Sequence, residues 1–361
     1  MQLYKLKELY SISSGLSKPA SQFGYGNPFL SFSIVFNNYH IPSSLIDLVN
    51  TSPLEIKRFS IKRGDVFVTR TSEKLDELGK SCVALQDYEK ATFNGFCKRL
   101  RPIVNESIIL PEYAQYLFRS KQFTNQIIYS CPMSTRASLN EEILNTIVLN
   151  IHSLSEQRHI VDIIGSLDDK IENNNKIIEK LWQKLQLVHT DFKSKNELVE
   201  KNILELADIK YGKGIPTSEI LKDGLYSVYG SNGIIGYLNN YTFKEHKIAI
   251  SCRGNSSGII HLTDENSTVT SNSLVLDFKN FDYTYYFFLE FMYKGLYEYK
   301  TGSAQPQITI DNLKILNLQV PKNINDYIKN INDSVEYTFC LKKENQKLLL
   351  LKQFYLKKFF G

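Results

Sequence analysis

The second half of this 361-residue chain restates the first. Leu144, Ile147, Leu149 and Ile151 follow Asn140 with the spacing at which Leu313, Leu316, Leu318 and Val320 follow Thr309, at a constant offset of 169. Upstream, Leu6-x-Glu8-Leu9-x-x-Ile12-x-x-Gly15 matches Ile203-x-Glu205-Leu206-x-x-Ile209-x-x-Gly212 at an offset of 197. Between these blocks, residues 66–70 (Val-Phe-Val-Thr-Arg) parallel residues 249–253 (Ala-Ile-Ser-Cys-Arg). Each is followed by a glycine (Gly79, Gly258) and later by an asparagine among small or aromatic residues (Asn94, Asn272). Ordered blocks with drifting offsets imply one fold used twice, with loops of different length.

Each copy has two parts. The first carries short β-branched runs, such as 65–69, 147–151, 247–251, 273–278 and 315–320, separated by turn clusters such as 24–28 and 230–233, with helical stretches at 112–126 and 283–292. These read as compact mixed α/β domains. The second part is a long helix. Ile160, Ile164, Leu167, Ile171, Asn174, Ile178, Leu181, Leu185, Val188 and Phe192 step by alternating four and three, an unbroken heptad seam. Its counterpart runs through Ile328, Ile331, Val335, Thr338, Lys342, Asn345, Leu349, Lys352, Leu356 and Phe359, and is more polar. Neither Gly nor Pro interrupts 167–192 or 324–360. Asn174 sits near the middle of the first seam, and Thr338, Lys342 and Asn345 near the middle of the second. Antiparallel packing with aligned centres is expected to bring these polar groups together, fixing register at some cost in stability.

The formal net charge is +5, from 43 basic and 38 acidic residues, and is unevenly spread: +4 over 1–150, −2 over 151–200, −1 over 201–321 and +4 over 322–361. The total alone does not name a nucleic-acid partner. Five dispersed cysteines without a C-x-x-C pair disfavour a disulfide framework or structural zinc, and fit a reducing cytoplasm. The apolar runs are too short for a membrane helix, and the charged first ten residues do not read as a signal peptide.

Catalytic patterns are missing. There is no G-x-x-x-x-G-K-[ST] loop, no H-E-x-x-H and no Asn/Asp-Pro-Pro-Tyr, and the acid-then-E-x-K patterns at Asp47/Glu55/Lys57 and Asp282/Glu298/Lys300 are too loose to count. What stands out is polar recognition chemistry. The second copy offers residues 228–237, 251–258 and 301–308, with Tyr229, Ser231, Asn232, Arg253, Asn255, Ser256, Ser303, Gln305 and Gln307, followed by Asn272. The first offers Arg70, Thr71, Ser72, Lys74, Asn94 and Arg136. Asn, Gln and Arg read base edges bidentately, Ser and Thr suit phosphates or bases, and glycine admits close backbone approach. Any one such loop is ordinarily a plain β-turn; recurrence at matching places in two copies is what points to recognition.

Assembled, these residues resemble a specificity subunit of a Type I DNA restriction–modification system. The carriers are residues 229–237, residues 301–308, Gly64-Asp65-Val66 leading to Arg70-Thr71, and Glu156-Gln157-x-x-Ile160 opening a long helix with Leu167-Asp168-x-x-Ile171. The resemblance implies an α/β architecture of two repeated mixed α/β target-recognition domains separated by two long antiparallel coiled-coil helices. Its divisions would be 1–152 and 196–321 for the recognition domains, 153–195 for the central helix and 322–361 for the C-terminal helix. Each domain would read one half of a bipartite double-stranded DNA target. The helices would set the unread spacer and dock two modification (methyltransferase) subunits, with restriction/translocase subunits joining them. The chain itself would be non-catalytic and bind no cofactor, while the partner subunits use S-adenosylmethionine, ATP and Mg. A recognition subunit of a related combined nuclease–methyltransferase, or a protein-interaction scaffold, is the alternative. Residues 151–153 (Ile-His-Ser) depart from the proline the family usually has there.

Overall fold

The computed structural model describes the chain except residues 73–76, 105, 132–136 and 303–304 and the side chain of residue 137. It divides into two compact units, residues 1–172 with 346–361 and residues 173–345, so each long helix contributes a segment to either unit.

In the first unit an antiparallel sheet runs in the order Tyr10–Ser14, Cys97–Pro102, Val66–Thr69, Ser81–Val83. Alternation along the strands sends successive side chains to opposite faces. Val66, Val68, Val83 and Leu100 pack beneath the helices Pro111–Leu117 and Lys121–Ser130, with Ile160, Ile164 and Phe360 of the long helices closing the same core. Phe67, Cys82 and Cys97 face the other way, against Leu30, Val35, Ile41 and Phe93. The second unit repeats the sheet as Ala207–Tyr211, Ser273–Phe278, Ile248–Ser251, Ile260–Leu262. One face is covered by the aromatic helix Asp282–Lys294; the other meets a smaller core of Tyr229, Phe243, Ala249, Val269 and Val275.

The duplication holds at the level of single hydrogen bonds. The Leu6 amide donates to the Ile147 carbonyl (2.9 Å), and that of Ile203 to Leu316 (3.0 Å). Asn140 and Thr309, the residues at which the two C-terminal blocks begin, are the N-caps of equivalent short helices. Gly15 and Gly212 match because a Cβ at either would collide with a backbone carbonyl, that of Asn94 or of Thr270. In the middle block the structure moves the alignment by one residue. Val66 pairs with Val83 and Leu100 where Ile248 pairs with Leu262 and Leu276, so the offset is 182 and Arg70 corresponds to Cys252, not to Arg253. Likewise Phe96 and Cys252's partner Asn272 are equivalent: the Arg70 amide donates to Phe96, the Cys252 amide to Asn272, each at 3.0 Å.

The central helix spans Leu154–Lys195 and the C-terminal helix Asn325–Phe360. The Glu-Gln opening of the former has a local cause. Ser153 and Glu156 form reciprocal capping bonds (Ser153 N to Glu156 Oε2, 2.9 Å; Glu156 N to Ser153 Oγ, 3.4 Å). Gln157, fully buried, donates to the Ile108 and His152 carbonyls and accepts from the Leu110 amide, tying the helix start to the domain. The helices run antiparallel. In the first unit Lys352 donates to Asp168 (2.6 Å), which also accepts from Tyr116 (3.0 Å), so two buried or half-buried charges at the seam are satisfied. In the second, Asn174 is fully buried and donates to Asn345 Oδ1 (2.9 Å) and Glu344 Oε2 (2.7 Å). Among the seam positions, Ile160, Ile164, Leu185, Ile331 and Val335 are buried, and Leu167, Ile171, Ile178, Leu181 and Ile328 are partly buried. Leu349 departs from the heptad expectation: it is 47% exposed. The seam position Lys352 is buried, and off the seam Leu341 and Phe360 are buried as well, Phe360 in the core of the first domain, because this helix packs on domain side chains as well as on its helical partner.

Candidate nucleic-acid interface

Four loops of the second unit converge at one end of its main sheet. The Ser251 hydroxyl donates to the Ser231 carbonyl, and Ser256 Oγ to Asn232 Oδ1 (2.5 Å). Ser231 Oγ donates to the Asn272 carbonyl (3.4 Å), and the Cys252 amide to the same carbonyl (3.0 Å). The Ile308 amide donates to the Cys252 carbonyl (3.0 Å), and bridges pair Gln307 with Arg253 and with Thr301. Apart from the Asn232 side-chain oxygen, these contacts use backbone groups and short hydroxyls. The longer side chains of Arg253, Asn255, Asn272, Gln305 and Gln307 are left exposed, as is Asn232. A rigid backbone frame bearing exposed bidentate donors and acceptors is what base-edge reading requires.

Gly233, at φ +94, turns the chain over His261, whose ring lies within 3.6 Å of where a Cβ would stand. Burial holds the His261 imidazole below its ordinary pKa. This histidine supports the loop from below, and no spacing in the sequence marks it. Tyr229 is corrected from a contact residue to a core one: it is 6% exposed, and its hydroxyl accepts from the Asp264 amide (3.1 Å). Its neighbour in the sequence, Gly230, opens the turn, but the ring faces the small second core.

The equivalent end of the first unit carries Arg70, Thr71, Ser72 and Asn94. Thr71 and Ser72 form a short strand against residues 137–138, the counterpart of the Arg253–Gln307 bridge. Arg70 Nη1 donates to the Gly95 carbonyl (3.4 Å), while its Nε is buried without a hydrogen-bond partner among the described residues. Lys98 lies beside it and donates to Ser14 Oγ (2.8 Å); burial, and then the Arg70 charge, lower its pKa. Asn94 spends its side chain locally, its Oδ1 accepting from the Phe96 amide (2.7 Å), and shapes the turn. Lys74, Arg136 and Ser303 lie outside the described residues.

Two regions, residues 1–183 and 195–350, match the family model of the Type I restriction modification DNA specificity domain. The chain belongs to that family. Each match takes in one copy of the repeat, so the loop clusters just described are the sheet ends of two DNA specificity domains. The chain is 28% identical over 186 residues to the Type I restriction enzyme HindI specificity subunit of Haemophilus influenzae. That match spans 51% of this chain and 39% of the relative, so less than half of the relative's length is aligned. The fold is similar to that of the S subunit of a Type-I restriction-modification system from M. genitalium, with a TM-score of 0.63 at 15% identity, over 100% of this chain and 96% of that one.

Proposed function

We propose that this chain is the sequence-reading subunit of a Type I restriction–modification complex, each specificity domain reading one half of a bipartite double-stranded DNA target. The observation that carries the reading is the convergence of four loops in the second unit, with exposed Arg253, Asn255, Asn272, Gln305 and Gln307 on a frame held by backbone and hydroxyl hydrogen bonds. The paired helices set the unread spacer and dock two methyltransferase subunits, with restriction/translocase subunits completing the assembly. The adenine methylation and the ATP-driven steps belong to those partners, which use S-adenosylmethionine, ATP and Mg. The chain contributes recognition in the cytoplasm and no chemistry of its own.

Footprinting of DNA by the chain co-expressed with its modification subunits tests this. Two short protected tracts separated by a sequence-tolerant gap are expected. Binding indifferent to sequence overturns the reading.

A further inference from the structure

Beside the loop cluster of the second unit lies a groove of about 550 Å³, lined by Lys210, Tyr211, Lys213, Thr242, Phe243, Lys244, Glu245, Lys247 and Asp277. Four of these are lysines and two are acids, a local charge of +2 within residues 201–321, whose total is −1. The charges are not used alike. Asp277 accepts from both Lys210 and Lys247, each at 2.8 Å, and those two hydrogen-bonded cations help hold its carboxylate below the ordinary range against burial. Lys247 also reaches Glu245 (3.3 Å), and the Lys210 ammonium stands 5.1 Å above the Phe243 ring. These pairs fix the wall of the groove. Lys213 and Lys244 are exposed and have no carboxylate partner among the described residues.

Their position matters as much as their charge. The Lys213 amide donates to the Val269 carbonyl (2.8 Å), and the Ser271 amide to the Lys213 carbonyl (3.0 Å), which sets Lys213 directly beside Ser271-Asn272 of the reading loops. Lys244 is anchored by the Asn266 amide on its carbonyl (2.8 Å), across the same groove. Unpaired cations on a rigid, sequence-blind surface beside base-reading loops suit a polyanion's backbone; contacts of that kind position DNA without reading it.

We infer that Lys213 and Lys244 form a phosphate track that seats the DNA backbone beside the base-reading loops of the second domain. This rests on the DNA-recognition reading above and adds the residues that orient the duplex there. In the complex with modification subunits, K213Q/K244Q is compared with wild type and with K222Q, an exposed lysine outside the groove, on target and scrambled duplexes over a salt series. The double variant is expected to weaken both duplexes by the same factor, with a plot of log affinity against log salt shallower by about 2. Its two protected tracts stay unchanged. Glu245→Gln removes an acid from the groove and should steepen the same slope. If the wild type protects two tracts but the slope of K213Q/K244Q equals that of wild type and K222Q, the track is refuted while the recognition reading stands. Loss confined to the target duplex also refutes it, because these lysines would then be reading bases. If the wild type protects no paired tracts, the recognition reading itself fails.

Discussion

Glu290 shows how much can depend on one carboxylate in this fold. It is 6% exposed, on the aromatic helix Asp282–Lys294, and accepts from His189 Nε2 (2.9 Å), Lys193 (2.6 Å) and Lys294 (2.7 Å). Burial, the largest single influence, pushes its pKa up, but the three donors together outweigh it and hold the carboxyl well below the ordinary range. His189 in turn meets the Tyr327 hydroxyl (2.8 Å), so the central helix, the aromatic helix and the C-terminal helix share one buried network in the second unit. Removing one member of such a network leaves the others desolvated and unpaired, at a cost of about 3–5 kcal/mol. Glu290→Gln is therefore expected to lower the melting temperature markedly at pH 7. The sign with pH follows from the depressed pKa: the carboxylate's contribution is full above the unfolded value near 4.5 and is lost as pH falls through the folded value. Thermal melts at pH 7 and at pH 4 should show the gap between wild type and variant narrowing in acid. A gap that widens in acid would mean that Glu290 is not the ionised centre of the network.

The seam of the long helices holds a buried polar pair among its apolar residues. Asn174 satisfies Asn345, which itself donates to Asn175 Oδ1 (2.9 Å), while Asn174 Oδ1 is buried with no partner among the described residues. An orphaned acceptor is a cost that an apolar residue would avoid, which is the pattern of a residue kept for specificity of pairing. Asn174→Leu is expected to blur the pairing. Spin labels on the two helices within the second unit, giving one distance in the wild type, should give a broadened or doubled distribution, with stability altered by about 1–3 kcal/mol as Glu344 and Asn345 lose a buried donor. A single unchanged distance with an unchanged melt would show that the apolar positions set the register unaided. This pair was legible in the sequence because a heptad seam has a definite period, and one polar residue in it is conspicuous. The repeat was legible for a similar reason: caps, glycines under steric pressure and paired strands recur as types of residue. What strands conceal is register. Val66–Thr69 and Ile248–Ser251 are both uniformly buried, so their side-chain pattern cannot distinguish an offset of 182 from 183; only the ladder does. Tyr229 misleads because an aromatic beside a Gly-Ser-Asn turn serves equally for stacking on a base or for filling a small core. Leu349 misleads because a heptad read along one helix takes no account of a second surface packed against it.

Across the whole chain, one hydrogen-bonded frame is used twice with different side chains at its tips. The ladder-corrected alignment sets Arg70 against Cys252, Thr71 against Arg253, Phe96 against Asn272 and Lys98 against Leu274. In the first domain a half-buried arginine and a lysine crowd together at the sheet end, whereas in the second the same positions hold a buried thiol and a buried leucine, and the arginine has moved one residue out into the exposed loop. Two tips of unlike charge and reach are expected to favour different bases, so the two half-sites should differ in sequence and be separable by mutation. Arg253→Ala with Gln307→Ala, in the complex with modification subunits, is expected to relax discrimination at one half-site by about 1–3 kcal/mol per bidentate contact removed. Arg70→Ala should relax only the other. Single-base methylation mapping of a genome exposed to each variant reads both halves at once, because every modified site reports its own flanking sequence. Loss of preference on one side, with the other side and the spacer length unchanged, is the expected pattern for each. If either variant altered both halves together, the domains would not read independently, and the duplicated frame would have to act as a single recognition surface.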